Sequence, residues 1–193
     1  VQLFAWQAPQ NLLEAFVDSD WAGCASTCRS TSGGVLRLGA HVLRTWSTTQ
    51  ATVAKSSAEA ELFSLTKGAA TALGMISTAH DLGMRVDAKI HSDASAAIAI
   101  AQRQGLGKLR HLKVQFLWIQ ERIRRGDLAV QKVPGKDNPA DLLTKHLSVQ
   151  DMQRHLKTLD VAISKTRAAA APKLSMVKAD GRWLAGQAGE LSV

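Results

Sequence analysis

At Ser56 the spacing of apolar residues changes from the twofold alternation of strands to the 3.6-residue period of a helix, and that switch divides the chain. Ahead of it, residues 12–17, 35–39 and 42–47 have strand character, the last continuing towards Val53, with a polar turn at 25–34. They predict an antiparallel meander of three strands. At the switch, Ser56-Ser57-Ala58-Glu59 spells the Ser-x-x-Glu capping box. Ala58, Leu62, Leu65, Ala69, Leu73 and Ile76 then keep helical spacing to about His80, and Gly83 ends the helix. Beyond it the chain reads as a strand into Asp93, an Ala-rich helix over 94–102, and a helix over 111–125 stopped by Gly126. A strand over 128–133 follows, then a final helix with Asn138 as cap and Pro139 at its first position. Three strands, helix, strand, helix, helix, strand, helix is an α/β order.

A chain of 193 residues holds one domain with an appendage. We expect a lead-in over 1–11, a domain over 12–147, and a partly helical or disordered appendage over 148–193. Opening on Val1 rather than Met, the chain reads as a piece of a longer protein. The 24 Lys and Arg outnumber the 16 Asp and Glu to give a net charge of +8, which favours a polyanionic partner, nucleic acid first. Cys24 and Cys28 lack the second half of a zinc site and read as free thiols, in keeping with a reducing setting. No run of 18 apolar residues and no apolar leader appears, so we expect a soluble, intracellular chain with no membrane partner.

Four carboxylates fall at element ends: Asp18, Glu61, Asp93 and Asp141. Two-metal phosphoryl transfer needs oxygen ligands around cations about 4 Å apart, and acids from separate elements supply them. Each has a competitor. Asp20 points to the same side of a continuing strand as Asp18, so alternation does not choose between them. Glu59 and Glu61 lie about 200° apart around a helix, so their jobs differ; the capping box claims Glu59 and leaves Glu61 nearer the buried side. Asp93 and Asp141 both begin helices, where an acid also serves simply as a partner for end amides and the helix dipole.

The blocks Val17-Asp18-Ser19-Asp20-Trp21-Ala22-Gly23, Arg29-Ser30-Thr31-Ser32-Gly33-Gly34, Ser56-Ser57-Ala58-Glu59-Ala60-Glu61, His91-Ser92-Asp93 and Ala140-Asp141-Leu142-Leu143-Thr144-Lys145 resemble the ribonuclease H domain of copia-type retrotransposon polyproteins, in order and rough spacing. The resemblance spans about residues 17–147. It implies a ribonuclease H-like fold, a mixed five-stranded sheet with three antiparallel strands then parallel ones, flanked by helices. It implies two Mg²⁺ or Mn²⁺ ions on Asp18, Glu61, Asp93 and Asp141, with Asp18 preferred over Asp20. It further implies endonucleolytic hydrolysis of the RNA strand of an RNA–DNA hybrid, beside an adjoining reverse transcriptase domain. Many cellular members carry a His in the loop before the last Asp; here residues 134–138 have none, and Lys136 is the only basic group.

Substrate contacts are expected at Ser30, Thr31, Ser32, Gly33 and Gly34, read either as a loop able to approach a sugar–phosphate chain or as an ordinary polar turn. Lys136 and the basic stretch with Arg110 and His111, continued by Arg122, Arg124 and Arg125, either follow phosphates or form a solvated face. Trp46 and Trp118 are core or stacking residues, core being the usual role at apolar spacing. Two other functions stand beside this one. A catalytically silent nucleic-acid-binding or scaffold module would bind no metal through these acids. An integrase or transposase core of the same fold superfamily would carry two Asp and a late Glu, an order this chain lacks.

Overall fold

Strand β1 (Leu12–Asp20) is the middle of a five-stranded sheet and is buried from Leu13 through Ser19 with only Glu14 partly exposed. The computed structural model describes residues 6–105, 115–161, 175–179 and 182–186. Arg110 and His111 lie outside the described residues. β2 (Thr31–Leu38) and β3 (His41–Thr49) continue from β1 as an antiparallel meander. β4 (Asp87–Ser92) pairs parallel on the other side of β1, and β5 (Ala129–Lys132) pairs parallel with β4. The order β3-β2-β1-β4-β5 is the mixed sheet expected from the sequence.

Helices α1 (Ser57–Asp81), α2 (Ser95–Gln102) and α3 (Gln115–Arg124) supply the apolar cover, with Leu62, Leu65 and Ala69 of α1 meeting Leu13, Val17 and Ile90 in one core. The Ser56 side chain caps α1 by accepting from Glu59 N at 3.2 Å. The Glu59 carboxylate accepts from Lys55 N at 2.7 Å, one residue earlier than a reciprocal capping box would have it. Trp46 is buried against the core, and Trp118 packs partly buried beside it with the Arg122 guanidinium 5.7 Å from its ring centre.

Two sequence expectations are corrected. Residues 31–34 are strand, not turn: Gly33 and Gly34 lie opposite Asp18 and Val17 in the ladder with β1. Backbone pairing needs no side-chain pattern, so the ladder runs four residues further than apolar alternation indicates. Nor is the segment after Asn138 a helix of ordinary length. It is a five-residue 3-10 turn, Pro139–Leu143, which leads into α4 (Val149–Thr158).

The compact unit holding the sheet runs from Trp6 to Ala162. Within it α4 is tied down by Arg37 Nη1 donating to Thr158 O at 3.2 Å and Arg154 Nε donating to Lys136 O at 3.0 Å. Arg37 also pairs with Glu14 across β1 and β2 at 2.8 Å. A separate unit contains an antiparallel hairpin of β6 (Ser175–Ala179) and β7 (Arg182–Gly186). Among the described residues no helix is long and apolar enough to cross a membrane.

Close packing explains the glycines of β2. A Cβ on Gly34 would stand 2.1 Å from the Trp46 ring, and one on Gly33 would stand 2.5 Å from the Thr144 methyl. Gly34→Ala is therefore expected to lower stability by about 1–3 kcal/mol through overpacking, read as a lower midpoint in denaturant unfolding with unchanged slope. A variant as stable as wild type would mean that the indole moves aside at no cost.

Candidate metal centre

The buried run of β1 reaches almost to its C-terminal end, so the carboxylate two residues before that end is delivered to a place where water is scarce. Asp18 is 1% exposed. Asp93, one residue beyond β4, and Glu61, in the second turn of α1, converge on it, and a carboxylate oxygen from each lies within 4.8 Å of the others. Their convergence follows from the sheet: β1 and β4 are parallel neighbours, so their C-terminal ends lie together, and α1 crosses β1 closely enough for a Cβ at Gly68 to stand 2.4 Å from Val17 Cγ1.

The competing acids are turned elsewhere. Glu59 is held at the start of α1 by Lys55 N. The Asp20 carboxylate lies over Gly23, where an added Cβ would meet it at 1.7 Å. Asp93 makes no side-chain cap for α2, whose cap position is Ala94. Asn138, not Asp141, caps the 3-10 turn, accepting from Ala140 N at 3.3 Å.

Asp141 is not part of the 4.8 Å group. It is linked to Asp18 through Lys145, whose Nζ donates to Asp18 Oδ1 at 3.2 Å and to Asp141 Oδ1 at 3.0 Å. The Thr144 hydroxyl donates to the other oxygen of Asp18, Oδ2. Asn138 Nδ2 donates to Val17 O at 2.9 Å, so the turn bearing Asp141 is fastened to the residue before Asp18. Gln50 makes a second brace: its amide nitrogen donates to Ser32 Oγ and to Ala60 O, both at 2.9 Å, linking the start of β2 to the residue before Glu61.

Crowding of acids in a dry place shifts their protonation. Burial raises Glu61 to about 8, the charges of Asp18 and Asp93 adding to the effect. Burial also raises Asp18, to about 6, against the lowering influence of Thr144 and Lys145. Lys145 is desolvated as well, but the two carboxylates outweigh that and hold its ammonium more firmly charged than usual. Glu61 Oε2 is buried with no hydrogen-bond partner among the described residues. An orphaned carboxylate oxygen beside two more acids fits a divalent oxygen-seeking cation, which would lie among Asp18, Glu61 and Asp93.

The residues expected at a nucleic-acid surface divide. Ser30 and Ser32 are buried, Ser30 Oγ accepting from Ala22 N at 3.1 Å and Ser32 Oγ from Gln50. Thr31 is partly exposed at the start of β2. Gly33 and Gly34 are packed under Thr144 and Trp46. Lys136 is exposed in a loop whose Gly135 would bring a Cβ to 3.0 Å from Asp93 Oδ2. Sequence reasoning assigned no role to Gln50, Thr144, Lys145 or the half-exposed Trp21, whose Nε1 donates to Ala54 O at 3.2 Å. Only Lys145 carried a signal, its i,i+4 spacing from Asp141.

This sheet order and helix arrangement is the ribonuclease H fold. LC11-RNase H1, isolated from compost by a metagenomic approach, has a similar structure, with a TM-score of 0.55 at 17% identity over 69% of this chain and 93% of that one. No protein-family profile matches the chain. In sequence it is 30% identical over 152 residues to the retrovirus-related Pol polyprotein from transposon RE1 of Arabidopsis thaliana, and 26% identical over 136 residues to that from transposon TNT 1-94 of Nicotiana tabacum. These matches take in 77% and 69% of this chain, and in each case it spans 10% of the polyprotein's length. The resemblance to retrotransposon polyproteins drawn from the five sequence blocks therefore holds across most of the chain.

The raised acids make a pH prediction. A carboxyl whose folded pKa exceeds its unfolded value contributes stability that is complete below the unfolded value and is lost as pH rises through the folded one. For Glu61 that window runs from 4.5 to about 8. In chelator, the melting temperature of Glu61→Gln minus that of wild type should become more positive between about pH 5 and pH 9, because only the wild type must bury a new charge. A pH-independent difference would show that Glu61 is not desolvated.

Proposed function

We propose that the domain is an endonuclease that hydrolyses the RNA strand of RNA–DNA hybrids, as the ribonuclease H activity of a retrotransposon-type polyprotein. The observation that carries the proposal is the convergence of Asp18, Glu61 and Asp93 around a buried carboxylate oxygen that has no partner among the described residues, with Asp141 joined to Asp18 through Lys145. The fold and the sequence relatives support the same reading.

Two Mg²⁺ or Mn²⁺ ions, when bound, supply an activated water on one side of the phosphodiester and charge stabilisation of the leaving oxygen on the other. The protein's part is positional. Asp18, on the central strand and braced through Val17 by Asn138, stands with Glu61 and Asp93 and is joined to Asp141 through Lys145, so it would hold cations together with either set. Glu61 and Asp93 would complete one set of ligands and Asp141 the other. Asp93 sits against Gly135, where the missing side chain leaves the carboxylate room to turn towards a cation.

For the substrate, Lys136 offers an exposed ammonium on the loop beside Asp93, and Thr31 a partly exposed hydroxyl at the mouth of β2. Trp21 stands half-exposed just past β1, its ring edge fixed by Ala54. A hydroxyl, a cation and a flat apolar ring suit sugar, phosphate and base respectively. The net charge of +8 favours such a duplex over a neutral substrate.

The test is cleavage of an end-labelled hybrid by the purified 193-residue chain in Mg²⁺ or Mn²⁺. Cleavage confined to the RNA strand is expected, with Asp93→Asn slower by more than about a hundredfold and its melting temperature in chelator at or above that of wild type. An Asp93→Asn variant as fast as wild type would overturn the assignment. A wild-type chain that binds hybrid without cutting it, and binds no Mn²⁺, would instead be a silent binding module.

A further inference from the structure

The cation already in the site is a side chain. Lys145 Nζ lies 3.2 Å from Asp18 Oδ1 and 3.0 Å from Asp141 Oδ1, bridging Asp18 to the one acid of the four that the Asp18–Glu61–Asp93 group leaves out. We infer that Lys145 holds the place of the second divalent cation between Asp18 and Asp141, so that the chain without substrate takes one ion on Asp18, Glu61 and Asp93. The inference rests on the metal-dependent reading above and deepens it.

Charge makes lysine and the second ion exclusive. Ionised together, as cation binding would require, Asp18, Glu61, Asp93 and Asp141 carry −4, which two divalent ions alone neutralise. With Lys145 still in place two ions would leave +1 in a poorly hydrated site, so entry of the second ion requires the ammonium to withdraw. Distance makes the same point. An ammonium rests about 3 Å from its acceptors, whereas Mg²⁺ needs them at about 2.0–2.1 Å, so the ion cannot share the gap with Nζ.

The two donors on Asp18 differ in how they yield. Thr144 frees Oδ2 by rotating its hydroxyl, with no charge moved. Lys145 must withdraw a whole positive charge, and its position allows this: its side chain is 40% exposed, against 1% for Asp18 and 14% for Asp141. Its backbone stays where it is, because Lys145 N donates to Asp141 O at 3.1 Å and Leu143 O accepts from Ser47 Oγ at 2.7 Å. The side chain therefore swings from a fixed base. A phosphodiester entering the site gives that ammonium a new anionic partner, so arrival of substrate and entry of the second ion are coupled.

Mn²⁺ titration of the full chain without nucleic acid, followed by electron paramagnetic resonance of free Mn²⁺ and by calorimetry, tests this. Wild type is expected to bind one ion. Lys145→Met is expected to bind two, the second at least about tenfold tighter than any second event in wild type, and Lys145→Met/Asp141→Asn is expected to return to one. Lys145→Gln serves in the same way if the Met variant does not fold. Two ions of similar affinity in wild type, or no second ion in either Lys145 variant, would overturn the inference while leaving the metal-dependent reading intact. Loss of that broader reading would show differently, as wild-type binding that is absent or indifferent to Asp93→Asn.

Discussion

The burial of one carboxylate governs the architecture. Asp18 rides on the central strand of the sheet and loses its hydration almost completely. A lone ion so placed would protonate or unfold its surroundings. Here neighbours from the far end of the chain make it tolerable: Thr144 and Lys145 donate to it, and Asn138 holds the strand beneath it through Val17 O. A segment more than 120 residues away is thus required by the charge at the end of β1. The parallel pairing of β1 with β4, the glycine at position 68 and the brace from Gln50 then set how near the other acids stand.

Local patterns in the sequence foretold most of the frame. The three-strand meander, the capped start of α1, the separation of Glu59 from Glu61 and the breaks at Gly83 and Gly126 all follow from interactions a few residues long; both glycines take positive φ, at 77° and 78°. What escaped notice depends on contacts far apart in the chain. Nothing near Gly34 announces Trp46, and nothing near Asn138 announces Val17, yet these pairs decide that residues 31–34 are strand and that the turn after Asn138 is docked. Asp18 and Asp20 were indistinguishable by alternation because both lie on one face of β1; a packing contact with Gly23 separates them. The site residues themselves came mostly from resemblance, since acids at element ends also suit capping roles, which here fall to Ser56 and Asn138.

The centre combines rigid and adjustable parts. Asp18, Asn138 and Gln50 are buried and hydrogen-bonded, so the framework around the acids is set before any ligand arrives. Lys145 reaches the acids from an exposed position on a long flexible stem. Such a division suits a chemistry in which cations must be held firmly but exchanged with each turnover.

The outer strands of the sheet bear on a different matter. β3 exposes Leu43, Arg44, Thr45, Ser47, Thr48 and Thr49, with Leu43 the single apolar side chain among them, and buries only Trp46, while β5 at the opposite margin is four residues long and ends in Lys132. Polar, charged or very short margins make poor templates for an added strand. Two copies meeting side by side at high local concentration would then have little tendency to zip together through their backbones into β-aggregates.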